Sequence, residues 1–188
     1  MLAWLNCDDL YTPWAFSALV DHAGPTGRRW LTGLPGAWDR DGVLRYVRPY
    51  GHYPRAWIRR GWFHHGFLGY LQQESMFVSR DLLGQLTPTQ RREIEGMKLA
   101  GDFLLWRRLA EYAPLCVIPT ALAGFRLHGA NLSTLHAGAY ETEVRGTGAP
   151  FPNARLAGLG RRLFRAYAAR GALRAMEEAD RTLHASLR

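Results

Sequence analysis

The sequence predicts an α/β domain. Short apolar runs with strand character, at residues 2–5, 30–34 and 115–118, are interspersed with helical segments. One of these, residues 102–112, is strongly periodic, with Phe103, Trp106, Leu109 and Ala110 at helical spacing. At 47 % hydrophobic, the 188 residues can build a real core in one domain.

Residues 2–5 read as a buried strand that opens onto Asn6, Cys7, Asp8 and Asp9. Thr12 then reads as a helix cap, with Pro13 at the first helical position and Gly24 past the end. Trp14, Leu19 and Val20 are expected to face a core from that helix. Asp39-Arg40-Asp41-Gly42 signals a turn before a strand at 44–47. Residues 50–71 are rich in aromatics, Gly and His without a clean period, which predicts a long loop holding short helical pieces. A short strand is expected at 75–79 and a short helix at 80–86. Thr87-Pro88 opens another turn or helix, and Pro114 ends the helix at 102–112. Residues 136–153 read as a loop or linker, and 154–188 as a basic amphipathic helical tail.

Net charge is +8, and Lys98 is the only lysine. Residues 154–188 hold eight Arg against Glu177, Glu178 and Asp180, a net of +5, which leaves only +3 for the other 153 residues. The basicity therefore belongs to a tail, and it argues for no nucleic-acid partner. Cys7 and Cys116 give neither zinc spacing nor a disulfide framework, which fits a reducing cytoplasm. Residues 1–5 are too short for a signal-peptide core. The longest apolar run, near 114–125, is broken by Pro119 and falls short of the roughly 20 residues that span a bilayer.

Several residues carry chemistry. Paired carboxylates at a strand's end, as at Asp8 and Asp9, suit Mg²⁺ or Mn²⁺, which sit between one or two carboxylates and substrate phosphates. Either Asp also serves as a simple cap. Asp102, at a helix start that favours negative charge, is a cap or an ionised general base. Arg126 suits phosphate oxygens and His128 can ligate a metal, though each also reads as a surface or packing residue. Gln73 and Glu74 precede a strand and either bind polar groups or decorate a loop. His64 and His65 are adjacent and make a poor metal pair.

Four stretches, AWLNCDDLYTPWA, LQQESMFVSRDLL, KLAGDFLLWRRLAEYA and LAGFRLHGANLS, together resemble the inverting GT-A-fold glycosyltransferases of family 2, in order and in separation, over residues 1–135. The resemblance implies a partial GT-A, Rossmann-like mixed sheet flanked by helices. It implies transfer of a sugar from a nucleotide-sugar donor to a saccharide or lipid-linked acceptor hydroxyl, with Mg²⁺ or Mn²⁺. LNCDD then resembles the Asp-x-Asp motif: Asp8 would bind the metal bridging the diphosphate, Asn6 would lie near the ribose, and Asp9 beside them. Arg126 joins this nucleotide-sugar group, and His128 resembles the His that completes the metal site in some GT-A enzymes. Asp102 would be the catalytic base, with Gln73, Glu74 and Trp106 on the acceptor side.

Two departures stand out: Asn6 replaces an Asp, and Gly101 stands where many relatives carry Glu. The resemblance also begins at the metal-motif strand. The chain thus reads as a C-terminal portion lacking the N-terminal nucleotide-binding part, with residues 2–5 an open sheet edge that invites self-association. The rival expectation is a non-catalytic fragment that binds a partner or a membrane surface. Location is expected to be cytoplasmic, peripheral at the inner face of the membrane if the tail engages it.

Overall fold

The computed structural model describes residues 1–24, 27–128 and 136–186, with side chains through residue 171 and at Leu173. It is a mixed α/β structure with two small mixed sheets. The strands are β1 (Leu10–Tyr11), β2 (Trp30–Thr32), β3 (Gly36–Asp39), β4 (Leu44–Val47), β5 (Phe77–Val78), β6 (Cys116–Val117) and β7 (Ala123–Leu127). The helices are α1 (Ala15–Ala23), α2 (Arg55–Arg59), α3 (Arg80–Gly84), α4 (Pro88–Glu95), α5 (Gly101–Leu109), α6 (Ala137–Gly146) and α7 (Ala154–Ser186). Gln73–Ser75 forms a single 3₁₀ turn.

One sheet runs β5-β2-β6, with β2 antiparallel to β5 and parallel to β6. Alternation along its strands feeds two layers. Trp30 and Val78, paired in register, enter the main core with Trp106, Leu109 and Ile58. Leu31 and Phe77, the next pair, face a second cluster with Ala15, Leu19, Ile118 and Leu122. The other sheet runs β1-β7-β3-β4, in which β3 and β7 are parallel. The β3–β4 hairpin turns through the expected Asp-Arg-Asp-Gly, with Gly42 at φ +80°.

Several expectations change. Of residues 2–5, only Leu2 pairs, as an isolated bridge to Val78. The chain then leaves the ladder because Trp4 stacks on Trp106, ring centroids 5.5 Å apart. Thr12 caps no helix: its hydroxyl donates to the carbonyls of Ala121 (3.0 Å) and Leu122 (3.2 Å), and α1 starts three residues later. Trp14 and Val20 are exposed, and Leu19 alone of the three is buried.

The expected loop at 136–153 contains α6, whose Val144 is buried against Phe103 and Ala100. The tail is no detached appendage either. Phe164 of α7 is 1 % exposed and sits among the rings of Tyr50, Tyr53, Phe63 and Trp57, all from the aromatic loop. The aromatics of residues 50–71 thus form the socket for α7.

Candidate functional site

The turn at residues 6–9 closes with the Asp9 amide donating to the Asn6 carbonyl at 3.1 Å. Asp9, 5 % exposed, then does two things. Its Oδ2 accepts from Asn6 Nδ2 at 3.1 Å, and its Oδ1 from the Arg126 backbone N–H of β7 at 2.9 Å. Burial nevertheless pushes its pKa up, against the pull of these bonds. Asp9 is thereby a structural tie between the turn and β7.

Asp8 faces the other way. Its Oδ2 lies 2.8 Å from Nε2 of His128, just past the end of β7. That hydrogen bond is the main reason its carboxyl titrates below the usual range. Asn6 extends the network by donating to Gln73 Oε1 at 3.2 Å, and Gln73 Nε2 donates to the Trp4 carbonyl at 2.6 Å.

The turn carrying Gln73 is fixed from three sides. Gln72 clamps Gly36 of β3, accepting from its N–H and donating to its carbonyl, both at 2.9 Å. The Ser75 hydroxyl donates to the Ala123 carbonyl of β7 at 3.0 Å. Glu74 sits between these ties. It is 6 % exposed, and its Oε2 has no hydrogen-bond partner among the described residues. Burial first, then the negative charges of Asp9, Asp102 and Asp8, push its pKa up to about 7. A buried carboxylate with one oxygen unsatisfied is costly when ionised.

Asp102 lies in the first turn of α5. Its Oδ1 accepts from the Phe103 N–H at 2.7 Å. The helix start was expected to keep this group readily ionised, but burial outweighs the helix and lifts its pKa to about 6. The entrance of α5 is held instead by Glu143 of α6. Its carboxylate accepts from the N–H groups of Lys98 (3.1 Å), Leu99 (3.0 Å) and Ala100 (2.9 Å), and these bonds keep it below the usual range. The charge of Asp102 is also felt by the phenols of Tyr70 and Tyr140, whose rings meet edge to face at 5.7 Å. Those two tyrosines line a cleft of about 140 Å³ with His64, His65, Glu141 and Phe151.

The structure therefore places two hydrogen-bonded groups side by side, Asp8 with His128, and Asn6 with Asp9, Gln73 and the Arg126 backbone, with the charges of Asp8, Asp9 and Asp102 felt at Glu74. Trp106 belongs to neither group. It is 2 % exposed and stacked between Trp4 and Trp30, so helical periodicity marked it for the core rather than for an acceptor. His64 is a core residue: Nε2 donates to the Pro150 carbonyl at 3.0 Å, and Nδ1 accepts from the Gly66 N–H. Residues 129–133, the end of the fourth matching stretch, lie outside the described residues.

Sequence reasoning missed Glu143, Tyr70 and Tyr140 as site residues, while Gln72 and Ser75 belong to the same acceptor-side motif, QQES, as Gln73 and Glu74. Among the described residues, no three His, Cys, Asp or Glu side chains cluster tightly enough to hold a metal by themselves. Asp8 and His128 offer two adjacent donors, one an oxygen of depressed pKa. That pair fits an incomplete shell for Mg²⁺ or Mn²⁺, whose remaining positions substrate phosphates and water commonly fill. No model of a known protein family matches the chain, and none of the curated proteins compared with it is significantly similar.

Proposed function

We propose that this chain carries the metal side and the acceptor side of an inverting, GT-A-type glycosyltransferase site. The supporting observation is convergence. Residues 6–9, 72–75, 102 and 126–128, distant in sequence, meet in a single neighbourhood of four carboxylates. They are also the segments that resemble family 2.

In this reading Asp102 accepts the proton of an acceptor hydroxyl. With its pKa lifted to about 6, it is ionised at neutral pH yet basic enough to assist. The hydroxyl oxygen then bonds to the anomeric carbon as the bond to the diphosphate oxygen breaks, inverting that centre. Asp8 and His128 would hold Mg²⁺ or Mn²⁺, which when bound supplies positive charge to the departing diphosphate. Asn6 lies on the ribose side of Asp8. Gln73 links the donor side of this arrangement to the acceptor side, through its bond with Asn6.

The test is direct. The chain is incubated with UDP-, GDP- or dTDP-sugars, Mn²⁺ and simple saccharide or lipid-linked acceptors. Turnover that disappears in Asp102→Asn supports the reading, and turnover that the substitution leaves unchanged would overturn it. A second reading, a partner-binding module without activity, is favoured by the outer face of α1. There Trp14, Phe16 and Val20 are all at least half exposed. Donor turnover separates the two.

A further inference from the structure

α7 carries two apolar stripes, and the domain covers only one. Ala157, Phe164 and Ala168 are buried, and they anchor the helix in the aromatic socket. Leu156, Leu159, Leu163 and Tyr167 recur at intervals of three, four and four residues, so they line one other face. They are 56 %, 54 %, 61 % and 48 % exposed, too much for a stripe packed against the domain. Leu173, also exposed, lies nearly two turns further along and is turned toward one flank of the stripe.

The charges around this stripe have one sign. Residues 154–176 contain six Arg and no Asp or Glu. Arg155, Arg162 and Arg170 are exposed, and at 100° per residue they lie along one flank of the leucine stripe, away from the packed face. Arg165 is exposed on the side opposite the stripe, and Arg161 is drawn back to the domain, donating to the Phe67 carbonyl at 3.0 Å.

We propose that this outer face of α7 docks in the interface of an anionic lipid bilayer. The leucines and Tyr167 would enter the boundary between headgroups and acyl chains, and the arginines would meet the anionic headgroups. Among the described residues no helix is long and apolar enough to cross a membrane, so the contact is one of lying on the surface. Charge decides against the obvious rivals. Two copies of this helix packed stripe to stripe would bring arginines against arginines. A polynucleotide would satisfy the arginines but has no use for a leucine stripe between them.

Co-sedimentation of the full chain with phosphatidylcholine vesicles, with and without phosphatidylglycerol, tests this. Two variants are compared with the unaltered chain: Leu159→Ser/Leu163→Ser and Arg162→Gln/Arg170→Gln. All four side chains are exposed, and unchanged thermal unfolding verifies that the fold persists. The unaltered chain should partition onto the anionic vesicles, far less onto neutral ones, and less as salt rises. Each double variant should partition at least about tenfold more weakly. If the leucine variant melts early, the arginine variant, which leaves the apolar surface intact, decides alone. The proposal is overturned if the unaltered chain stays in the supernatant, or if neither variant loses binding. It is equally overturned if light scattering shows a dimer that the leucine variant dissociates while vesicles are ignored.

Discussion

Nε2 of His128 lies 2.8 Å from Oδ2 of Asp8 across 120 residues of sequence, and the bond ties the turn after residue 5 to the end of β7. The Asp8 side chain remains 39 % exposed, so the pair is reachable from solvent. Asp8→Ala should therefore abolish Mn²⁺-dependent binding of a nucleotide sugar, while shifting the melting temperature little, because exposed pairs contribute only about 0–1 kcal/mol. Calorimetric titration with and without EDTA measures it. Donor binding that survives both EDTA and the substitution rules out the metal role.

Asp102→Asn keeps the shape of the side chain and removes the proton acceptor. Turnover should fall by about 10² or more with donor affinity nearly unchanged. The pH profile adds a second readout. A base of pKa about 6 must be ionised to act, so kcat/KM of the unaltered chain should decline as pH drops through about 6. A kcat within a few-fold of the unaltered value would leave Asp102 only its bond to the Phe103 amide.

Elements whose signals are local were legible. The capping box of Thr87 and Gln90 starts α4, and the spacing of Phe103, Trp106 and Leu109 marks α5. Of the second sheet, β4 and the turn before it were legible, but β1, β3 and β7 were not, because β7 meets β3 through a missing side chain. A Cβ at Gly124 would meet the Trp38 ring at 1.8 Å, so β7 must carry a glycine exactly where the β3 ring crosses it. α6 was hidden by its bounding glycines, Gly138 and Gly146, since only Tyr140 and Val144 mark its apolar side. The carboxylates of the site could be singled out by type and order. Their supports could not, because Gln72 on Gly36 and Glu143 on residues 98–100 act across tens of residues with no periodic trace.

Glu143 supplies a prediction of its own. It satisfies three backbone donors ahead of the helix that bears Asp102, as a cap would, but from another helix. Glu143→Ala should lower stability by about 1–2 kcal/mol. Its depressed pKa means that the stabilisation exists above the unfolded value and is lost as pH falls through the folded one. Chemical denaturation of both chains at pH 7 and in acid should thus show a gap that narrows in acid. A gap independent of pH would show that the carboxylate charge is irrelevant. In an active preparation, kcat should fall more than KM changes, because Asp102 would be mispositioned rather than lost.

Glu74 gives the sharpest pH signature, with the opposite sign. Its folded pKa is raised, from an ordinary 4.5 to about 7. Below about 4.5 the carboxyl is protonated in both states and contributes no difference. Between about 4.5 and 7 the unfolded chain releases the proton while the folded chain keeps it, so stability falls as pH rises. Above about 7 the folded chain holds a buried carboxylate whose Oε2 nothing among the described residues satisfies. Glu74→Gln keeps the size and removes that charge. It should therefore stabilise the chain at pH 8 by roughly 1–3 kcal/mol, and by much less at pH 4.5. Urea unfolding at the two pH values measures the difference. If the Gln variant is no more stable at pH 8 than at pH 4.5, relative to the unaltered chain, Glu74 is not held as a buried, near-neutral acid.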